Sequence, residues 1–186
     1  MPRYVALLRG INVGGRNKVA MVDLRQVAKS LGHTEVATYI QSGNLVFTGY
    51  DTSLSSLAGM LEQQIADSLG VRPAVVVLSR ADLAQVIADN PFPQETNPKF
   101  LHAVFRDQEM TPDALADIAA ARQAAKAKGS PDEAVVVGQT LFLHTPGGIG
   151  RSELSAQLAR FSSQAVGTAR NWATVTRLLA MLESTG

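Results

Sequence analysis

Apolar runs repeat in order and spacing on either side of a proline-rich segment, and this repeat limits the fold more than any other feature of the sequence. The expected strands begin near residues 4, 36, 44 and 74 in the first half, and near residues 100, 134, 141 and 166 in the second. Between the first and second strands, and between the third and fourth, apolar residues recur at helical spacing. Both halves therefore predict the order βαββαβ.

This order predicts an α+β protein made by tandem duplication of two ferredoxin-like units with antiparallel sheets. In each unit, two helices should cover one face of a four-stranded sheet. Residues 75–78 and 135–137 are apolar at consecutive positions, so we expect the second face of each sheet to be covered too. The cover would be the other half or a second copy of the chain in a homodimer.

The domain boundary is expected at residues 90–98, where two Asn-Pro pairs and a further proline disfavour both helix and strand. This places a first ferredoxin-like unit with a linker helix at residues 1–89, and a second unit with a C-terminal helix at residues 99–186. A length of 186 residues is enough for two small domains.

Local signals place the element ends. Strands are expected at residues 36–40 and 166–170, and residues 41–43 and 138–140 are expected as hairpin turns. Helix N-caps are expected at Ser53, Ser79, Thr111, Ser152 and Asn171, and glycine stops at Gly32 and Gly70.

Composition excludes several classes of chemistry. The chain has no cysteine, so disulfides, thiol nucleophiles and cysteine-ligated metal centres are absent. Its three histidines are far apart, and no metal site is predicted. No apolar run is long enough to span a bilayer, so we expect a cytoplasmic protein without membrane contact. Asp132 and Glu133 are adjacent carboxylates beside a turn, and both are expected to be solvated.

The first loop, residues 9–18, is the main candidate site. Its glycines would let backbone N–H groups approach a phosphate, and its basic side chains would supply charge. The expected ligand-binding residues are Arg9, Gly10, Asn12, Gly14, Gly15, Arg16 and Lys18. Arg16 and Asn17 replace the Lys and Ser or Thr of a P-loop, which excludes an ATPase of that type. Alternatively, the glycines only form tight turns and the basic groups are solvated.

The second loop, residues 147–152, repeats this pattern and adds the candidates Gly148, Gly150 and Arg151. Ser152 is favoured as a helix cap over a ligand contact. The first and third strands of each unit are expected to run parallel, which would put the two loops at corresponding ends of their units.

Three motifs carry a resemblance to a known family. They are VALLRGINVGG at residues 5–15 with NK at residues 17–18, TYIQSGN at residues 38–44, and RNW at residues 170–172. Together they resemble the bacterial domain-of-unknown-function family 1697. The resemblance implies a tandem α+β fold and supplies no reaction, cofactor or catalytic residue. In that family a lysine usually follows GRS at residues 150–152, where this chain has Glu153.

The favoured function is binding of a phosphate-bearing ligand or a nucleic-acid backbone. Residues 1–30 carry six basic side chains and one acidic side chain, which suits an anion. The aromatic signature of RNA-recognition motifs is absent, which weakens the nucleic-acid alternative. Two other hypotheses stay open, a structural or protein-interaction module and an enzyme of unknown reaction. No catalytic residue or cofactor is assigned.

Overall fold

A computed structural model describes residues 1–106, 108–161 and 167–184, without the side chain of Phe161. The chain divides into two compact units. The first unit comprises Met1–Gln85 together with the chain from Thr176 onward, and the second comprises Val86–Val175. No helix in the described ranges has the length and apolarity needed to cross a membrane.

The first unit contains a four-stranded antiparallel sheet with the strand order β2-β3-β1-β4. Its elements are β1 (Arg3–Leu8), α1 (Met21–Ser30), β2 (Thr34–Tyr39), β3 (Asn44–Thr48), α2 (Leu54–Leu69) and β4 (Val75–Ser79), followed by α3 (Arg80–Ala88). The unit boundary falls within α3, between Gln85 and Val86.

The second unit repeats this arrangement with the strand order β6-β7-β5-β8. Its elements are β5 (Leu101–Phe105), α4 (Pro112–Ala127), β6 (Glu133–Val137), β7 (Thr140–His144), a 3-10 turn (Ile149–Arg151), α5 (Glu153–Phe161) and β8 (Thr168–Asn171). The last helix, α6 (Trp172–Glu183), begins in the second unit, and its residues from Thr176 onward belong to the first. The matching strand orders confirm the α+β fold with a duplicated βαββαβ arrangement.

The expectation of parallel first and third strands is wrong. Strand β1 pairs antiparallel with β3, with Val5 opposite Val46, and β5 pairs antiparallel with β7. The hairpin reverses β3 relative to β2, and β3 then lies between β2 and β1, so it runs antiparallel to both. The first loop follows β1 and the second follows β7. Strand β7 is the equivalent of β3, which runs antiparallel to β1, so the two loops do not follow equivalent ends of the two sheets.

Each unit has a core between its helices and one face of its sheet. In the first unit, Leu24 of α1 and Leu61 of α2 are fully buried against Phe47 of β3. Burying a side chain of this size contributes about 1.5 to 3 kcal/mol. In the second unit, Ile118 of α4 and Leu154 of α5 belong to the corresponding cluster.

The opposite faces of the central strands are buried as well. Val5, Leu7 and Val46 alternate with the core residues of the first unit and are fully buried, as are Ala103 and Phe142 in the second. Both faces of the central strands are therefore dry, as the consecutive apolar residues indicated.

All five predicted helix N-caps are confirmed. The hydroxyls of Ser53, Thr111 and Ser152 accept hydrogen bonds from backbone N–H groups in the first turns of α2, α4 and α5. The Asn171 side chain does the same for α6. Ser79 and Asp82 cap each other reciprocally at the start of α3.

The strands predicted at residues 36–40 and 166–170 differ from the prediction at their ends, since β2 comprises Thr34–Tyr39 and β8 comprises Thr168–Asn171. Strand β2 ends at Tyr39, because Ile40 has a φ of 48° and leaves the extended conformation. Strand β8 begins at Thr168, and the predicted strand residue Val166 lies outside the described residues.

Candidate functional site

The first loop forms a small hairpin between β1 and α1. The Asn12 N–H donates to the carbonyl of Asn17 over 3.1 Å, and the Arg16 N–H donates to the carbonyl of Val13 over 3.1 Å. Gly14 and Gly15, with φ of 59° and 77°, supply the two positive φ angles that a two-residue hairpin turn requires. Gly14 and Gly15 therefore form a tight turn, which is the role that the alternative interpretation gave to the glycines.

The Asn12 side chain clamps this hairpin to the rest of the first unit. Its Nδ2 donates to the carbonyls of Val19 and Gln41, each over 2.9 Å, and its Oδ1 accepts from the Val19 N–H over 2.9 Å. Both amide hydrogens are thus used within the protein. Asn12 positions the loop, and its amide hydrogens are not free for a ligand.

A second asparagine closes the loop from the other side. Asn17 Nδ2 donates to the carbonyl of Gly10 over 3.0 Å, and both residues have positive φ. At the end of β1, the Arg9 N–H donates to the carbonyl of Ala74 over 2.9 Å. Amide and backbone hydrogen bonds therefore hold the loop together with Ile11, which is buried in the core of the first unit.

The basic side chains take no part in this scaffold. Arg9, Arg16 and Lys18 are exposed. In the part of the chain that the structure describes, no carboxylate oxygen lies within 4.0 Å of their side-chain nitrogens. Three cations at one loop without acidic partners produce a local positive potential.

An open groove of about 580 Å³ runs beside the hairpin. Of the seven sequence-predicted residues of the first loop, it brings together Asn12, Gly15 and Lys18. The others, Arg9, Gly10, Gly14 and Arg16, are not among its lining residues. The remaining lining residues are Val19, Ala20, Asp23 and Gln41.

The groove also contains the start of α1. Ala20 is the N-cap residue of this helix and provides no side-chain hydrogen bond. The first N–H groups of a helix lack partners inside the helix and carry partial positive charge. Asp23, in the first turn, places one negative charge at the same end.

Sequence reasoning missed Gln41 and Asp23 as groove residues. Gln41 reaches the groove because its carbonyl accepts from Asn12. The neighbouring Gly43 packs against Leu8 and Ile11 so closely that a Cβ at position 43 would lie 2.7 Å from Ile11 Cδ1. The signal available was the motif at residues 38–44, whose glycine permits this approach of the turn to the first loop.

The second loop has a different chemistry, because an internal carboxylate occupies its helix start. Asp132 Oδ2 accepts from Ser152 Oγ over 2.8 Å and from the Leu154 N–H over 3.3 Å. Ser152 Oγ in turn accepts from the Ser155 N–H over 2.9 Å. The expectation that Asp132 is solvated is wrong, because its carboxylate caps α5.

Two charges beside the second loop, those of Lys128 and Glu153, are paired within the protein. Lys128 Nζ lies 2.6 Å from Glu153 Oε1, and Gln157 Nε2 donates to the same oxygen over 2.5 Å. The Lys128 ammonium, then the Gln157 amide, hold the pKa of Glu153 below its usual range. Gly148 and Arg151 line a cavity of about 220 Å³ here, whereas Gly150 does not.

Among the described residues, no hydrogen bond joins a histidine to either loop. His144 Nε2 lies 2.7 Å from Glu95 Oε2, and Phe92 stacks on the His144 ring. Burial lowers the pKa of His33 and of His102. Within residues 1–106, 108–161 and 167–184, no group of three or more histidine or acidic side chains is arranged to hold a metal ion.

Comparison with known proteins identifies one sequence family and a related structure. A family model described as "Protein of unknown function (DUF1697)" matches residues 1–142, which include the first loop and end before the second. The fold is similar to that of the conserved bacterial protein SP0830 from Streptococcus pneumoniae, with 25% sequence identity and a TM-score of 0.76. This similarity covers 98% of the present chain and 99% of that chain. No curated protein matches the sequence.

Proposed function

We propose that this chain, which belongs to the DUF1697 family of proteins of unknown function, binds a phosphate-bearing anion in the groove beside its first loop. The observation that carries this proposal is that different side chains hold the loop and carry its positive charge. Asn12 and Asn17 hold its shape, while Arg9, Arg16 and Lys18 are exposed and have no acidic partner within the described part of the chain. The cations are therefore available to a ligand.

Lys18 is the central residue of the proposed site, because it is the basic side chain that lines the groove. An ammonium group donates charge-assisted hydrogen bonds to phosphate oxygens, each contributing about 1.5 to 3 kcal/mol. Arg16, two residues away and on the exposed side of the hairpin turn, adds positive charge from the rim.

Backbone groups support the same assignment. The groove is lined by Gly15 and by Ala20, the N-cap of α1, which has no side-chain cap. N–H groups at such positions favour an anion. Asp23 opposes it, because its carboxylate repels an anion in the groove.

The test is a titration with inorganic phosphate at low ionic strength, followed by backbone amide chemical shifts. We expect the amides of Gly15, Lys18 and Met21 to shift with one common dissociation constant. The double variant Arg16→Ala/Lys18→Ala should bind at least about tenfold more weakly, since it removes at least one charge-assisted hydrogen bond.

The matched control is Arg151→Ala, which removes an arginine from the second loop and should leave phosphate binding unchanged. Equal binding by the double variant and the unsubstituted protein, or the absence of shifts in the first loop, would refute the proposal. A single-stranded oligodeoxythymidylate is titrated in parallel. Binding of that oligonucleotide without binding of phosphate would also refute it, in favour of a nucleic-acid backbone.

A further inference from the structure

One residue of the groove is not explained by the binding of a simple anion. Asp23, in the first turn of α1, lines the groove together with Lys18. An aspartate in the first turn favours the helix dipole, but that role does not require its carboxylate to line a groove for an anion. The ligand that fits this groove therefore has a part that benefits from a carboxylate.

Three polar side chains of different chemistry line the groove. Lys18 carries an ammonium, Asp23 a carboxylate and Gln41 an amide, and all three residues are exposed. In the part of the chain that the structure describes, no hydrogen bond or ion pair involves these side chains, because Asn12 bonds to the main-chain carbonyl of Gln41. The groove therefore offers a cationic donor, an anionic acceptor and a group that both donates and accepts.

The carboxylate determines what the ligand must carry besides its phosphate. An ionised carboxylate accepts hydrogen bonds and donates none, so the ligand must present donors to Asp23. An ammonium group would be repelled by the basic first loop, where Arg9, Arg16 and Lys18 outnumber the one carboxylate of the groove. Neutral hydroxyl groups donate without this penalty, and two of them on adjacent carbons match the two oxygens of the carboxylate.

We propose that the groove binds a phosphate monoester of a polyol, with its phosphate beside Lys18 and its hydroxyl groups donating to Asp23. The groove volume of about 580 Å³ lies within the range of small-molecule sites. This inference rests on the proposed function, because the phosphate occupies the same anion site. It goes further in naming the class of ligand and in giving Asp23 the role of selecting a hydroxylated ester.

The experiment compares inorganic phosphate, propyl phosphate and glycerol 3-phosphate by the same amide titration. The two esters have the same carbon chain and differ in two hydroxyl groups. We expect glycerol 3-phosphate to bind about tenfold more tightly than propyl phosphate, because it adds hydrogen bonds to a charged acceptor. Asp23→Asn should reduce this preference by at least about threefold, since the acceptor becomes neutral. The same variant should bind inorganic phosphate about threefold more tightly, because a repelling charge is removed.

These two changes have opposite directions, which a mere weakening of α1 would not produce. The matched control is Asp113→Asn, which removes the first-turn carboxylate of α4 in the second unit and should leave all three affinities unchanged. If inorganic phosphate does not bind, the proposed function fails. If inorganic phosphate binds but glycerol 3-phosphate binds no more tightly than propyl phosphate, or Asp23→Asn keeps the full preference, only the present inference fails.

Two further arms test the assignment to a soluble polyol ester. We expect 3-aminopropyl phosphate to bind less tightly than glycerol 3-phosphate, and the reverse order would overturn the assignment in favour of an amine. Vesicles of phosphatidylcholine containing one-fifth phosphatidylglycerol present a phosphate and a diol in a lipid headgroup. We expect no cosedimentation with them. Cosedimentation that Asp23→Asn abolishes would overturn the assignment to a soluble ester.

Discussion

The two glycine-rich loops have similar sequences, since each leads from a strand to a helix and carries arginine, but their polar groups have different partners. In the second loop, Asp132 and Ser152 satisfy the start of α5, and Lys128 is paired with Glu153. In the first loop, the start of α1 has no side-chain cap, and the basic groups have no acidic partner among the residues that the structure describes. An acidic side chain, Asp132, therefore caps the helix after the second loop, whereas Asp23, the acidic residue at the start of α1, lines the groove.

This difference shows that a glycine-rich pattern with basic residues is not by itself an anion site. The pattern specifies a chain that can turn sharply and carries positive charge. Whether the charge is available depends on which acidic side chains the fold brings to it. Asp132 is 20 residues before Ser152 in the sequence and reaches it only through the packing of the second unit.

The largest expected effect comes from the Asn12 clamp, which has no counterpart in the second loop. Asn12→Ala removes three hydrogen bonds, each contributing about 1 kcal/mol. It also leaves alanine at a φ of 55°. We expect the free energy of unfolding of the first unit to fall by about 3 kcal/mol, measured by amide exchange of the protected β1 amides.

The matched control is Asn17→Gly, which removes one hydrogen bond and leaves a residue that tolerates positive φ. It should cost about 1 kcal/mol. Equal losses in the two variants would show that Asn12 is not the main clamp, and the contrast between a scaffolded first loop and a self-capped second loop would need revision.

A smaller effect is expected from replacing one glycine of each loop with alanine. Gly15 has a φ of 77°, whereas Gly150 has no positive φ and no atom within 4 Å of an added Cβ. Gly15→Ala should therefore lower the free energy of unfolding by about 1 kcal/mol. Gly150→Ala should leave it unchanged or raise it by about 0.5 kcal/mol. Urea denaturation of both variants measures this, and a comparable loss at both positions would contradict it.

The smallest effect concerns the ion pair of the second loop. Because Lys128 and Gln157 hold the pKa of Glu153 below its usual range, its carboxylate should titrate below the ordinary value of about 4.3. Since the folded pKa is lowered, its contribution to stability is present above that ordinary value and is lost as the pH falls through the folded pKa. The measurement is the side-chain carboxyl shift of Glu153 between pH 2 and pH 7.

Lys128→Ala should move the midpoint of Glu153 upward toward the ordinary value. Lys18→Ala, which removes a cation of the first loop, should leave that midpoint in place. An unchanged midpoint in Lys128→Ala would mean that the second loop does not pair its charges in solution, and would remove one difference between the loops.

Much of the fold could be predicted because its signals are local. Apolar runs and helical spacing predicted the duplicated βαββαβ order, and short polar side chains such as Ser53 and Asn171 marked helix starts that the hydrogen bonds confirm. The prediction that Ile40 belongs to strand β2 is wrong because it used a local signal alone. An isoleucine favours a strand by propensity, and only the geometry of the turn at residues 40–43 places it at a positive φ.

The sequence by itself determined the secondary structure, the duplication and the surplus of positive charge near the first loop, because propensity, periodicity and charge are properties of neighbouring residues. The tertiary structure decided which charges are available. It brought Asp132 to the start of α5 and Gln41 to Asn12, across 20 and 29 residues of chain. Such long-range pairing depends on how helices and strands pack, and this is why two loops of similar sequence differ in the partners of their polar groups.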